Sequence, residues 1–216
     1  MLPTFQWTGF DVDEMLPARW RQDVEAVAAA ADFRAFPRTP GLSREADHVQ
    51  CVARGRVHAN DVKDRLGWLY ELYRADFREL ARRARGESVA PARDDRYGVV
   101  LNVQQGPTMR FECHVDSNPL TGLLFCSDHD LGSGGELVFA HDGKARSAAE
   151  IDQACSVLRS QSGHLIFFDG RHHPHYVRAL VSDKDTRVVA VMNYYTDSHP
   201  ESTRPAELNR HLYGDE

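Results

Sequence analysis

The sequence predicts a mostly β chain, a β-sandwich or jelly roll, with helices from its N-terminal part covering one sheet. Two observations carry this. Apolar residues recur every three or four positions as far as about Arg85, and every second position from Tyr97 onward. Beyond Tyr97, Gly, Pro, Asn, Asp or Ser punctuate most of the gaps between about eight short runs rich in Val, Leu, Phe and Tyr.

Taken in order, Pro17 suits the first turn of a helix, and Trp20, Val24, Val27, Ala28 and Ala31 keep helical spacing to about Phe33. Two prolines and a glycine turn the chain over Phe36–Gly41. His48–Val57 reads as a strand or a loop. A long helix is predicted over Asn60–Arg85: Asn60 is an N-cap candidate, and Val62, Leu66, Leu69, Tyr73, Phe77, Leu80 and Ala84 form its stripe. Arg82, Arg83 and Arg85 complement its C-terminal dipole, and Gly86 stands where a terminating glycine belongs. After a polar link, strands are predicted over Tyr97–Gln104, Met109–Val115, Leu120–Cys126, Glu136–Ala140, Ser156–Arg159, Gly163–Phe168, His175–Val181 and Arg187–Tyr195. Ser147 and Glu150 have capping-box form and open a short helix, and Pro205 opens another through Leu212. The whole chain, residues 1–216, reads as one domain: helical support over 1–96, a β core over 97–195, and a C-terminal extension over 196–216.

Composition narrows the function classes. The 216 residues are 42% hydrophobic and 27% charged, an ordinary globular balance. A net charge of −6 argues against a nucleic-acid partner, which calls for a basic surface. The longest apolar runs, Leu120–Cys126 and Val188–Met192, are too short to span a bilayer, so no membrane partner is expected. MLPTFQWTGFDVDEM lacks a basic, then apolar, leader pattern, and the four cysteines form no CxxC pair. The expectation is a cytoplasmic enzyme-sized domain, for which a homodimer is allowed. It carries 11 histidines, several of them clustered.

His114-Val115-Asp116 ends a predicted strand, where alternation turns residues i and i+2 to one side. An imidazole and a carboxylate there supply two corners of a metal site. Alone, such a tripeptide equally describes a local hydrogen-bonded surface pair. A third corner is available from Arg171-His-His-Pro-His-Tyr-Val177, with His175 favoured over His172 and His173, which precede Pro174. Two histidines and one carboxylate on one face of an octahedron leave three positions open, the arrangement of non-haem Fe(II) oxygenases. Arg187 heads the apolar strand Val188–Met192, where a cation calls for an anionic partner: a dicarboxylate cosubstrate or a structural carboxylate.

Four ordered stretches, VLNVQQGPTMRFECHVD, LTGLLFCSDHDLGSGGELVF, GHLIFFDGRHHPHYVRAL and RVVAVMNYY, resemble the prolyl-hydroxylase-like branch of the Fe(II)/2-oxoglutarate-dependent dioxygenases. The likeness runs from about Tyr97 to Tyr195. It implies a double-stranded β-helix, a cupin-like jelly roll. It also implies Fe(II) held by His114, Asp116 and His175, and 2-oxoglutarate held through its C5 carboxylate by Arg187. Tyr97, Asn102 and Thr121 are further candidates for cosubstrate contact. The interval from His175 to Arg187 is slightly longer than the branch pattern, which keeps Arg178 as an alternative anchor. The implied reaction consumes O2, converts 2-oxoglutarate to succinate and CO2, and hydroxylates a C–H bond. Retention of the Asp116 carboxylate fits hydroxylation better than halogenation.

The substrate is less legible. A small polar metabolite, an amino acid or a derivative, is the leading reading. Protein prolyl hydroxylation and a non-catalytic binding module are the alternatives. Nucleic-acid demethylation is disfavoured, because Val191–Tyr195 lacks the second arginine expected of such enzymes. Asn102, Arg110, Glu112, Asp128 and Asp142 flank the motif strands and are the candidate substrate contacts. Phe125, Phe139, Phe167, Phe168 and Cys113 read as core. The glycine-rich loop Asp128–Gly135 is a candidate lid from its composition.

Overall fold

In a computed structural model of the chain, residues 5–37, 43–45 and 51–208 are described. Twelve strands among them form two antiparallel sheets. The strands are β1 (Thr8–Asp11), β2 (Asp32–Pro37), β3 (Cys51–Val57), β4 (Val89–Pro91), β5 (Val99–Gln105), β6 (Phe111–His114), β7 (Leu120–Phe125), β8 (Leu137–Ala140), β9 (Cys155–Leu158), β10 (His164–Phe168), β11 (His175–Val177) and β12 (Thr186–Thr196). The larger sheet has the order β1-β10-β7-β12-β5-β3-β2, with β4 also paired to β12. The smaller has the order β6-β11-β8-β9.

Strict alternation on the large sheet sorts its side chains into two layers. Val99, Leu101, Val103, Leu124, Leu165, Phe167, Val188, Ala190 and Met192 face the helices α1 (Trp20–Ala28), α2 (Ala59–Arg65), α3 (Gly67–Arg74) and α4 (Asp76–Arg85). The intervening residues Leu123, Phe125, Ile166, Phe168 and Val189 face the small sheet and meet Phe111, Leu137, Phe139 and Val177 there. All four phenylalanines read as core are buried, as is Cys113, which packs with Val138, Ala140 and Tyr176 on the outer side of the small sheet.

The structure departs from the sequence reading at several elements. The long helix expected over Asn60–Arg85 is three helices, broken at Leu66 (φ −124°, ψ 49°) and Ala75 (φ −115°, ψ −90°). Its apolar stripe survives, because each break lets the next helix follow the twisted sheet beneath it. The first helix stops at Ala28, and Asp32–Pro37 is claimed by pairing with β3. β1 and β4, four and three residues long, were not among the predicted strands. β11 ends at Val177, four residues early, because Ala179 and Leu180 turn to pack on Gly134 and Gly135. Gly86 adopts φ +76° and closes α4 as expected. Ser147 caps α5 (Ala148–Ile151) by accepting from the Glu150 N–H at 3.2 Å. The turn through residues 38–41, residues 48–50 and a helix continuing to Leu212 lie outside the described residues.

Candidate active site

The inner faces of the two sheets enclose a chamber lined by Asn102, Thr121, Phe168 and Arg187 from the large sheet and by His114 and His175 from the small one, with Asp116 at its mouth. A register shift between β6 and β11 makes this possible. His175 pairs with His114, but Val177 pairs with Phe111, so β6 carries one extra residue and turns both Phe111 and His114 inward. Asp116 lies two residues past the end of β6, and its N–H donates to the Gly170 carbonyl at 3.2 Å.

Three donor atoms converge. Asp116 Oδ1 stands 3.6 Å from His114 Nε2 and 3.6 Å from His175 Nε2, and one donor atom from each residue fits within 4.8 Å of the others. Both rings are oriented from behind. His114 Nδ1 is 2.8 Å from the Glu112 carbonyl and His175 Nδ1 is 2.9 Å from that of His173. A carbonyl only accepts, so each Nδ1 carries the proton and each Nε2 lone pair of the neutral ring faces Asp116. Asp116 Oδ2 accepts from the Thr121 hydroxyl at 2.7 Å. Phe139 and Phe168 pack around the His175 ring, with centroids 4.9 and 5.7 Å away. This donor set, two imidazoles and one carboxylate with ordered partners, fits a divalent first-row metal such as Fe(II).

Electrostatics agree with that use. Burial disfavours ionisation of Asp116, yet His175, His114 and the Thr121 hydroxyl outweigh it and hold the carboxyl down at about 2. Burial, then the neighbouring His114, pushes His175 down to about 4. Burial also resists a charge on His114, but its bond and attraction to Asp116 prevail and raise it above the usual 6.5.

Arg187 sits across the same chamber, 2% exposed, on the face of β12 shared with Val189 and Val191. Its Nε has no partner, and among the described residues it makes no hydrogen bond or ion pair. The nearest aromatic face, Phe125, is 5.9 Å from its guanidinium carbon. Burial lowers it to about 10, so it remains a cation at neutral pH. Gly135, at φ +78°, admits it: a Cβ there would lie 2.9 Å from Arg187 Cδ. Glu136 attracts it from a distance, but a buried cation with no ion pair among the described residues, facing a largely apolar chamber, is a receptor for an anion.

A second cavity of about 150 Å³ opens outward from the donor triad. Arg56, Tyr97, Glu112, Asn193, Tyr195 and Leu208 contribute to its wall, and Asn102 and His114 line both spaces. Arg56 and Glu112 are 6% and 2% exposed, so this wall carries buried charge of both signs.

Most of the remaining candidates fall outside these spaces. Arg110 is committed to Glu45 through two 2.8 Å contacts and lines neither cavity, which corrects its reading as a substrate contact. Asp128 and Asp142 are exposed turn formers, accepting from the N–H groups of Ser162 and Lys144. Arg178 pairs with Asp152 at 2.8 Å on the surface and is not in the chamber. His172 is exposed, and the His173 ring bonds the Ala140 carbonyl, leaving its own carbonyl to orient His175. Tyr97 lines the outer cavity, not the inner chamber. The loop Asp128–Gly135 is tied to Arg178, Val181 and Ser160 by backbone bonds, and it backs Arg187 where a lid over the triad was expected. Residues that sequence reasoning missed are Gly170, Asn118, Arg56, Tyr195 and Leu208. None carries a motif, and each is brought in by pairing or packing.

No protein-family profile and no curated protein matches the sequence. Solved structures do share the fold. AviO1 from Streptomyces viridochromogenes aligns at TM-score 0.64 and 15% identity, over 94% of this chain and 94% of that one. The epimerase SnoN, in complex with Fe3+, α-ketoglutarate and nogalamycin RO, aligns at 0.63 and 14% over 95% and 85%. HygX from Streptomyces hygroscopicus, with nickel, 2-oxoglutarate and hygromycin B bound, aligns at 0.57 and 10% over 90% and 84%. At these identities the likeness is one of fold. No helix among the described residues is long and apolar enough to cross a membrane.

Proposed function

We propose that this chain is a non-haem Fe(II)- and 2-oxoglutarate-dependent dioxygenase that hydroxylates an unactivated C–H bond of a small polar metabolite, an amino acid or a derivative. In this reading residues 1–216 form one domain built on a double-stranded β-helix. One observation carries the proposal: two imidazole nitrogens and one carboxylate oxygen meet at one end of a chamber whose other end holds the unpartnered cation Arg187.

His114, Asp116 and His175 would hold Fe(II), and Arg187 would pair with the distal carboxylate of 2-oxoglutarate. Bound there, the metal and cosubstrate supply O2 activation coupled to decarboxylation of 2-oxoglutarate to succinate and CO2. The chain's own part is placement. Phe139 and Phe168 keep the His175 ring dry and fixed. Asn102 stands at the junction of the two spaces with a buried Oδ1 that no donor among the described residues reaches. The outer cavity brings a substrate against His114 and Asp116. At about 150 Å³ it lies below the ~300–1,000 Å³ of drug-sized sites, which suits a small ligand. SnoN and HygX, which share the fold, were solved with small molecules bound, in keeping with a small-molecule substrate.

Anaerobic addition of Fe(II) and 2-oxoglutarate should produce a weak visible charge-transfer band. A screen of amino acids and related metabolites should then find one that stimulates succinate release and gains one oxygen by mass. Absence of both the band and any succinate ends the proposal.

A further inference from the structure

We infer that Thr121, backed by Asn118 and Gly170, fixes how Asp116 binds a metal: through Oδ1 alone. The inference rests on the metal-site reading above and assigns Thr121 to Asp116 and not to the cosubstrate.

A free carboxylate can ligate with one oxygen or with both. Here its two oxygens are distinguished by what surrounds them. Oδ1 is equidistant, at 3.6 Å, from the two imidazole Nε2 atoms. Oδ2 accepts the Thr121 hydroxyl at 2.7 Å. The direction of that proton is itself determined. Asn118 Nδ2 donates to Thr121 Oγ1 at 3.0 Å and to the Leu120 carbonyl at 2.8 Å. The carbonyl can only accept, so the Asn118 nitrogen must face this way. With Oγ1 receiving from Asn118, the Thr121 hydroxyl is left to donate to Oδ2.

Burial gives the chain of bonds its strength. Thr121 is 4% exposed and Asn118 6%, so water does not compete for either. Gly170 supplies the space. A Cβ at that position would lie 2.4 Å from Asp116 Oδ2 and 2.9 Å from His175 Cε1, so the backbone of residue 170 packs directly beneath the carboxylate and one ligand ring. The absence of a side chain at 170 leaves Oδ2 free to sit where the Thr121 hydroxyl reaches it.

The consequence is a coordination count. Two histidines and a one-oxygen Asp116 occupy three positions of six, leaving two for a chelating cosubstrate and one for O2. A carboxylate chelating through both oxygens would take a fourth. Thr121 is thus a positioning residue that keeps a site open without touching the reacting atoms.

The test uses the full-length protein and Co(II) alone, without substrate or turnover. Calorimetric titration reads affinity, and the visible ligand-field spectrum reads coordination number. Thr121→Val keeps the shape and removes the hydroxyl, and Thr121→Ser keeps the hydroxyl. The valine variant should bind Co(II) about 10–100-fold more weakly, with an altered spectrum, while the serine variant stays near wild type. Asn118→Ala should shift both readings the same way by less, and it serves if Thr121→Val fails to fold. Unchanged or tighter Co(II) binding with an unchanged spectrum in the foldable variant overturns the inference. If wild type itself takes up no Co(II), the metal-site reading falls with it, so the two failures are told apart.

Discussion

Replacing Arg187 with methionine should make the ligand-free protein more stable and at the same time unable to hold 2-oxoglutarate. The guanidinium is 2% exposed and has no ion pair among the described residues. Its 5.9 Å separation from the Phe125 ring is at the limit of useful cation–π attraction. Burial moves it from 12.5 to about 10, which at about 1.4 kcal/mol per unit sets about 3 kcal/mol against the charged form. The folded value lies below the unfolded one for a base. That cost is therefore fully present at neutral pH and is relieved only as pH rises from about 10 toward 12.5. A flexible apolar side chain removes the charge and fills most of the space. Allowing for imperfect packing, a net gain of about 1–2 kcal/mol remains, or roughly 2–8 °C in Tm for a chain of this size. Binding moves the other way. Two charge-assisted hydrogen bonds at about 1.5–3 kcal/mol each amount to roughly 10²–10⁴-fold in 2-oxoglutarate affinity. Thermal melts with Mn(II), with and without 2-oxoglutarate, read both effects. Wild type should rise on adding the cosubstrate, and the variant should start higher and stay there. A variant that melts lower and still responds to 2-oxoglutarate would show that Arg187 is a structural cation and that the anchor lies elsewhere.

Other outcomes follow from the same geometry. His114→Ala and Asp116→Ala should each abolish the anaerobic Fe(II)/2-oxoglutarate band, and persistence of the band in either would remove that residue from the ligand set. Because His114 is raised above 6.5 by Asp116 against the opposing effect of burial, a metal must displace its proton. Co(II) affinity should then fall about tenfold per pH unit below that value, with Asp116 ionised throughout. A flat profile over roughly pH 5–8 would contradict this tautomer and charge assignment. Glu45→Gln should cost about 3 kcal/mol in urea unfolding. It strips Arg110 of its partner and weakens a bond to the Cys113 N–H on the strand that ends in His114. A loss under about 0.5 kcal/mol would mean the pair is only a surface contact.

The β half of the chain was readable because its side chains alternate between two apolar layers, a pattern set by burial on both faces. The His-x-Asp pattern drew attention to His114, and the setting after Pro174 drew attention to His175. Sequence reading misjudged Arg110: a lone basic residue beside a motif gives no sign that Glu45, 65 positions away, will claim it. It merged three helices into one because a stripe of period 3.6 survives a break that preserves the buried face. It also offered the loop Asp128–Gly135 as a candidate lid from its glycines, whereas Gly134 and Gly135 have positive φ and pack directly against Ala179, Leu180 and Arg187.

By itself the sequence determined which chemical groups were present and roughly where along the strands they stood, since periodicity and residue type are local properties. Only the tertiary structure decided which of them share one space. An extra residue in β6 turned His114 inward beside His175, Gly170 left room beneath Asp116, and Arg187 was buried with no ion pair among the described residues. Those relations join residues 50 or more positions apart, and they are fixed by packing and strand register, which no short stretch of sequence records.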